Sequence, residues 1–370
     1  MDNRPLVTII IGTRPEAIKL APVIKSFKES DKINTRIVLT GQHAKLVDDV
    51  LKLFYIVPDK SLNIMKKKQE ISYITSSCLM GLNEEFNQNK PNLVIVQGDT
   101  STAFSAALAA FYQKIKVAHV EAGLRTDDLL NPYPEELNRR LISQIATIHF
   151  APTSKAEKNL KNSNVIGKVE TVGNTVIDSL IYMSSFSSPP EIKGVNWEKD
   201  KIFLLTVHRR ENWGENLIDI VNGIKKIIST FDDISIVIPM HPNETIRNFL
   251  KESLNTTKRI FLVEPFSYSE MIGVLKNCHL VLTDSGGLQE EAPGFGKPVL
   301  VLRKTTERLE AIEAGTAKLI GTSSESIFNE VYNLLINKGE YELMSKALNP
   351  FGDGLSSKRI LETCLEELIS

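Results

Sequence analysis

At 370 residues with 42% hydrophobic content, the chain is longer than one hydrophobic core usually organises, so two domains are expected. Forty-four Lys and Arg against 45 Asp and Glu leave a net charge of −1, which excludes a nucleic-acid binder that relies on a broad basic face. Cys78, Cys278 and Cys364 stand far apart with no Cys-x-x-Cys or Cys/His spacing, so they read as buried, reduced thiols, and no structural metal is expected.

The opening apolar run is too short for a signal sequence or a membrane span and ends at Gly12, so a cytoplasmic protein with no membrane partner is expected. Short β-branched runs recur at 6–11, 36–40, 93–97, 117–120, 202–207, 235–239, 281–283 and 298–302, separated by longer stretches of helical spacing. Runs of this kind suit strands covered on both faces, which predicts an α/β fold with parallel, doubly wound sheets in both halves. The boundary is placed near 170, giving domains 1–170 and 171–355. The most linker-like stretch is 184–190, and 172–178 is an alternative crossing point. In the tail, 356–370, residues Ile360, Leu361, Cys364, Leu365 and Leu368 share one helical face, which suits a terminal helix packed on a domain surface.

The first strand ends in Gly12-Thr-Arg-Pro-Glu-Ala-Ile-Lys19, where Thr13 and Glu16 have capping-box spacing and Pro15 marks a helix start. Glu16 therefore reads as a cap. Arg14 occupies the turn beyond the carboxyl edge of the sheet, where open α/β folds bind ligands; its bland alternative is a surface arginine. Lys19 lies off the buried stripe and faces either that crevice or solvent. Two later strands end in acids, Asp99 and Glu121. Asp99, before Thr100 and Ser101, is nearly as well explained as a helix cap. Glu121, between Val120 and Ala122-Gly123, must be aimed into a cleft or paired, because a buried unpaired carboxylate is costly; Arg125 is a candidate partner. In Asn131-Pro-Tyr-Pro-Glu-Glu-Leu-Asn-Arg139, Glu136 reads as an acid of a first helical turn, whereas Glu135, adjoining the proline-stiffened loop, is a candidate acid or base.

In the second half, His208-Arg-Arg follows a hydrophobic strand, and a histidine there can donate a hydrogen bond to a departing phosphate. His241 before Pro242 ranks below it. Ser285-Gly286-Gly287 joins a strand to a helix, where missing Cβ atoms and free N–H groups favour a phosphate, and Glu291 is placed to reach a ribose. A plain glycine turn is the alternative. Arg308 follows the last strong strand and is suited to neutralising phosphate or to orienting a sugar hydroxyl. No Gly-x-Gly-x-x-Gly follows a predicted strand, so no nicotinamide cofactor is indicated, and no cofactor is expected.

Together, Gly12-Thr-Arg-Pro-Glu-Ala-Ile-Lys-Leu-Ala-Pro22, His119-Val-Glu-Ala-Gly-Leu-Arg-Thr126, Pro134-Glu-Glu-Leu-Asn-Arg139, His208-Arg-Arg-Glu-Asn212 and Thr283-Asp-Ser-Gly-Gly-Leu-Gln-Glu-Glu-Ala-Pro293 resemble the non-hydrolysing UDP-N-acetylglucosamine 2-epimerases. The resemblance spans nearly the whole chain. It implies a GT-B-like architecture of two Rossmann-like domains with a cleft between them, the last helix, 356–370, returning to the N-terminal domain. Substrate contacts are implied at Arg14, Lys19, Ser285, Gly286, Gly287, Glu291 and Arg308, and uracil contacts near Phe266 and Met271. Asp99, Glu121, Glu135 and His208, with Arg139 nearby, are the implied acid/base set.

The implied partners are UDP-N-acetylglucosamine and UDP, and the implied assembly is a homodimer. An effector site for a second UDP-N-acetylglucosamine maps to Gln42, His43, Lys45, Lys68, Gln69, Glu135, Arg209 and His241. Ala44-Lys45 and Lys68 depart from the family pattern there, the latter losing an arginine's planar fork. The implied reaction is elimination of UDP, a 2-acetamidoglucal intermediate and readdition to give UDP-N-acetylmannosamine for surface or capsular polysaccharide. Two rival readings draw on the same phosphate-binding end: a GT-B glycosyltransferase using a UDP-sugar, and a catalytically silent UDP-sugar sensor.

Overall fold

The computed structural model describes every residue except 1, 2, 42, 43, 67–69, 127 and 370, and the side chain of Ala44. Its contacts divide the chain into two compact units, Met1–Ser179 with Phe351–Ser370, and Leu180–Pro350. Of the proposed effector residues, Gln42, His43, Lys68 and Gln69 lie outside the described residues.

The first unit holds strands β1 (Leu6–Ile11), β2 (Asn34–Leu39), β3 (Lys60–Ser61), β4 (Leu93–Gln97), β5 (Lys116–Val120), β6 (Ile148–Ala151) and β7 (Lys168–Thr171). The second holds β8 (Lys201–Thr206), β9 (Ile234–Pro239), β10 (Ile260–Val263), β11 (Leu280–Thr283), β12 (Val299–Val301) and β13 (Ala317–Leu319). Helices separate successive strands almost throughout. Every neighbouring pair in both sheets is parallel. The central strands are buried along nearly their whole length, as in β4, because helices cover both faces; that is why they read as unbroken apolar runs rather than alternating ones.

Strand order places the functional edges. In the first sheet it is β3-β2-β1-β4-β5-β6-β7, and in the second β10-β9-β8-β11-β12-β13. The winding therefore reverses between β1 and β4, and again between β8 and β11. At such a switch the following helices leave on opposite faces, which opens a crevice at the carboxyl ends of the two strands. Those four ends carry Gly12-Thr13-Arg14, Gly98-Asp99, Val207-His208 and Asp284-Ser285.

The terminal helix Ser356–Ile369 belongs to the first unit and packs on the helix Arg14–Glu29. Ile360 and Cys364 are buried on its inner face, with Leu361, Leu365 and Leu368 half-buried beside them. Its start is capped by Asp178, whose carboxylate accepts the Ser356 N–H at 3.3 Å and the Ser357 N–H at 2.7 Å. Cys78, Cys278 and Cys364 are all buried free thiols. Among the described residues no helix is long and apolar enough to cross a membrane.

Candidate active site

In the first unit, the turn after β1 and the turn after β4 are tied by one buried carboxylate. Glu16 Oε2 accepts the N–H groups of Gly12 at 2.5 Å and Thr13 at 3.0 Å, while Oε1 accepts the Thr100 hydroxyl at 2.5 Å. The Thr13 hydroxyl makes no cap hydrogen bond, so the cap expected of this pair is carried by Glu16. Burial pushes the Glu16 carboxyl up to about 7, against the pull of Thr100, Gly12 and Thr13. With 4.5 as the ordinary value, the folded state keeps a proton that the unfolded state releases, so this group's contribution to stability falls as pH rises from about 4.5 to about 7. Over that window the loss is on the order of 3 kcal/mol. Glu16→Gln is expected to flatten the fall of Tm between pH 5 and 8; an unchanged slope would remove Glu16 as its source.

Asp99 follows β4 and is not a helix cap: the cap of the helix Ser101–Tyr112 is Thr100, whose hydroxyl accepts the Ala103 N–H at 3.0 Å. The Asp99 carboxylate is instead held by Arg139 at 2.5 Å, and its carbonyl accepts Asn138 Nδ2 at 2.9 Å. On its other side the Gly98 carbonyl lies 2.7 Å from Nε2 of buried His119. Burial drives that ring's pKa down to about 3, so it stays neutral and donates one hydrogen bond. Burial also raises the Asp99 carboxyl above its ordinary range, with Arg139 opposing and Glu121 adding to the rise.

Glu121 sits at the end of β5 in the left-handed region, φ 63°, a conformation that costs a non-glycine residue about 1 kcal/mol or more. The turn aims its carboxylate back along the sheet edge, where Lys19 Nζ and Gln97 Nε2 donate to it and Asn174 Nδ2 lies at 3.4 Å. The ion pair expected with Arg125 is formed by Lys19. Arg125 instead donates to the Leu124 carbonyl and, at 3.0 Å, to the Ser143 hydroxyl. Lys19 thus faces the sheet edge rather than solvent, its side chain 17% exposed.

Glu135 opens the helix Glu135–Ile145 half-buried, as does Arg14 on the helix Arg14–Glu29. Glu136 is more than a first-turn acid. It is wholly buried, accepts the Thr126 N–H at 3.0 Å, and binds Arg140 at 2.7 Å and Arg139 at 3.2 Å, which steadies the arginine on Asp99.

In the second unit, His208 Nδ1 lies 2.7 Å from Asp284 Oδ1. Burial alone would raise the Asp284 carboxyl, but His208, the Arg209 N–H and Asn212 outweigh it and hold it below the usual range. Ser285 precedes the short helix Gly286–Glu291, which is fastened to the loop after β12 by Thr306 on Gln289 at 2.6 Å and by Arg308 Nε on Glu290 at 2.7 Å. A Cβ at Gly286 would meet Arg308 Cζ at 3.4 Å, so the missing side chain lets the guanidinium lie over the helix start. Gly287 is exposed and Glu291 half-buried.

A cavity of about 290 Å³ is lined by Thr206, Val207, His208, Pro239, Met240, His241, Pro242, Pro265, Phe266, Met271, Ser285 and Leu288. It gathers Phe266 and Met271 beside His208 and Ser285. His241, with Nδ1 accepting the Asn243 N–H at 3.1 Å, lines the same cavity. Arg209 Nε donates to the Asp284 carbonyl at 3.1 Å, and Lys45 is exposed on the helix Ala44–Leu53. Among the described residues no group of three or more His, Cys, Asp or Glu is arranged to hold a metal ion. Sequence reasoning missed Asp284, Gln97 and Asn174; only Asp284, an acid at a strand end like Asp99, carried a readable signal.

A family model described as UDP-N-acetylglucosamine 2-epimerase matches residues 25–365. The UDP-N-acetylglucosamine 2-epimerase of Bacillus subtilis is 45% identical over 361 residues, covering 97% of this chain and 94% of that protein. Among solved structures, the UDP-GlcNAc 2-epimerase of Neisseria meningitidis bound to UDP-GlcNAc is 42% identical with a TM-score of 0.84, covering 98% of this chain and all of that one, 100%. The Methanocaldococcus jannaschii enzyme in complex with UDP-GlcNAc and UDP is 35% identical with a TM-score of 0.76, covering 98% and 99%.

Proposed function

The chain belongs to the UDP-N-acetylglucosamine 2-epimerase family, and on that premise we propose that it interconverts UDP-N-acetylglucosamine and UDP-N-acetylmannosamine. The observation that carries the reading is the pair of acids at neighbouring strand ends, Asp99 with Arg139 and Glu121 with Lys19. The C2 proton of the sugar is not acidic, so a base needs the C1 substituent to leave. The C1–O bond to the diphosphate breaks, the C2–H bond yields its proton to a carboxylate, and a C1=C2 double bond forms. The product of this step is 2-acetamidoglucal with free UDP. Readdition of the β-phosphate oxygen to C1, with a proton delivered to the opposite face of C2, completes inversion. The net change involves no oxidant, which accords with the absence of a dinucleotide fingerprint.

In this reading Asp99, Glu121 and Glu135 exchange protons with the sugar. Arg14, His208, Ser285, Gly286, Gly287 and Arg308 bear the charge that grows on the diphosphate, Glu291 holds the ribose, and the cavity between Phe266 and Met271 takes uracil. Lys19 pairs with Glu121 and aims its carboxylate. Family membership also supports a cytoplasmic homodimer that supplies surface or capsular polysaccharide synthesis; a monomeric mass in solution would remove the homodimer from the account. NMR of UDP-N-acetylglucosamine incubated with the protein and no acceptor tests the activity. The appearance of UDP-N-acetylmannosamine is expected, whereas unchanged substrate would leave a transferase or a sensor.

A further inference from the structure

We propose that Asp284 is a positioning residue that fixes the His208 imidazole with its Nδ1 proton turned inward, so that Nε2 is the atom offered to the leaving diphosphate; this rests on the epimerase reading. Asp284 ends β11 at the switch point of the second sheet, with its side chain fully buried. A carboxylate there is tolerable only if donors surround it, and four do. His208 Nδ1 lies 2.7 Å from Oδ1, the His208 N–H lies 3.2 and 3.1 Å from the two oxygens, the Arg209 N–H is 3.0 Å from Oδ2, and Asn212 Nδ2 is 2.9 Å from Oδ2. Asn212 also donates to the Leu302 carbonyl at 3.0 Å, which anchors it to the neighbouring strand end.

An ionised carboxylate can only accept, so the ring nitrogen it meets must carry the hydrogen. That settles which nitrogen remains for a ligand. Nε2 offers a lone pair when the ring is neutral and a second N–H when it is charged. The ring itself is 43% exposed and lines the cavity shared with Phe266, Met271 and Ser285. Orientation and proton placement thus come from a buried group that touches the ring, the His208 and Arg209 N–H groups and the Asn212 amide. The carboxamide of Asp284→Asn has one accepting oxygen in place of two, and its NH2 would confront N–H groups on one side or the other. The variant keeps the shape of the site and loses the constraint.

The test combines Asp284→Asn, His208→Ala and the double variant with 15N NMR of histidine-labelled protein. Wild-type His208 is expected to carry its proton on Nδ1, and Asp284→Asn to lose that signature. For epimerisation, Asp284→Asn is expected to lower kcat about 100-fold or more with KM within a few fold, as for the loss of one preorganised group at a developing charge. If Asp284 acts through the ring, the double variant is no slower than His208→Ala. Multiplying losses, or a wild-type His208 protonated at Nε2 alone, would overturn the proposal. The wild-type NMR reading needs no variant, so a misfolding Asp284→Asn protein leaves the proposal open to refutation. A wild-type protein that shows the Nδ1 signature yet converts no substrate would sink the epimerase reading separately from the hold on the ring.

Discussion

Glu121→Gln is expected to lower epimerisation turnover about 100-fold or more, equivalent to roughly 3 kcal/mol of transition-state stabilisation. The substitution preserves size and the left-handed backbone that aims residue 121, so shape alone does not account for the loss. Charge does. Lys19 and Gln97 converge on the carboxylate as donors, and an amide in its place offers one oxygen to them and turns an NH2 against one of them. It also cannot take up a proton from C2. UDP affinity is expected to stay within a few fold, because Glu121 is not among the residues assigned to the nucleotide. Steady-state kinetics together with calorimetry of UDP binding reads both quantities. Turnover within a few fold of wild type would remove Glu121 from the chemistry.

Gly123→Ala is expected to be strongly destabilising. Gly123 adopts φ +92°, and a Cβ there would lie 2.3 Å from the Ala156 carbonyl oxygen and 2.8 Å from its carbon. Both clashing atoms belong to the backbone of the helix Ser154–Asn162, and Asn159 of the same helix donates to the Gly123 carbonyl at 3.0 Å. Neither side can yield cheaply. The strained φ and the forced separation together are expected to cost about 3 kcal/mol or more, lowering Tm by roughly 5 °C or more. Turnover should fall as well, since the displaced turn carries Glu121 two residues earlier. A melting curve that overlays the wild type would show that the turn relaxes without cost.

Much of the architecture was legible because the central strands are apolar throughout. Residues 6–11 and 93–97 were bounded as they are found, in β1 and β4. The strands that escaped notice are short, lie at or near a sheet edge, or are interrupted. β3 has two residues, β7 is half-exposed Lys-Val-Glu-Thr, β13 ends in exposed Lys318-Leu319, and β6 carries His149 in its middle. β10, Ile260–Val263, is apolar but short and at the sheet edge, so like β3, β7 and β13 it carries little pattern, whereas in buried β6 it is His149 that breaks the apolar run.

The site was legible where one residue at a strand end suffices, as with Asp99, Glu121, His208 and Ser285, and less so where pairing decides. Arg125 is four residues from Glu121, whereas Lys19, 102 residues away, forms the ion pair because β4 alone separates β1 from β5 in the sheet. Likewise Arg139 reaches Asp99 across 40 residues. Asp284 stood in full view beside Ser285, but its function as the acceptor for His208, Arg209 and Asn212 exists only after β8 and β11 have paired.

The central claim is that the sugar loses and regains the hydrogen at C2 while UDP departs and returns. The measurement that tests it most directly is proton NMR of UDP-N-acetylglucosamine turned over in D2O. Deuterium at C2 of both the recovered substrate and UDP-N-acetylmannosamine is the expected result. Formation of UDP-N-acetylmannosamine that retains protium at C2 would contradict it.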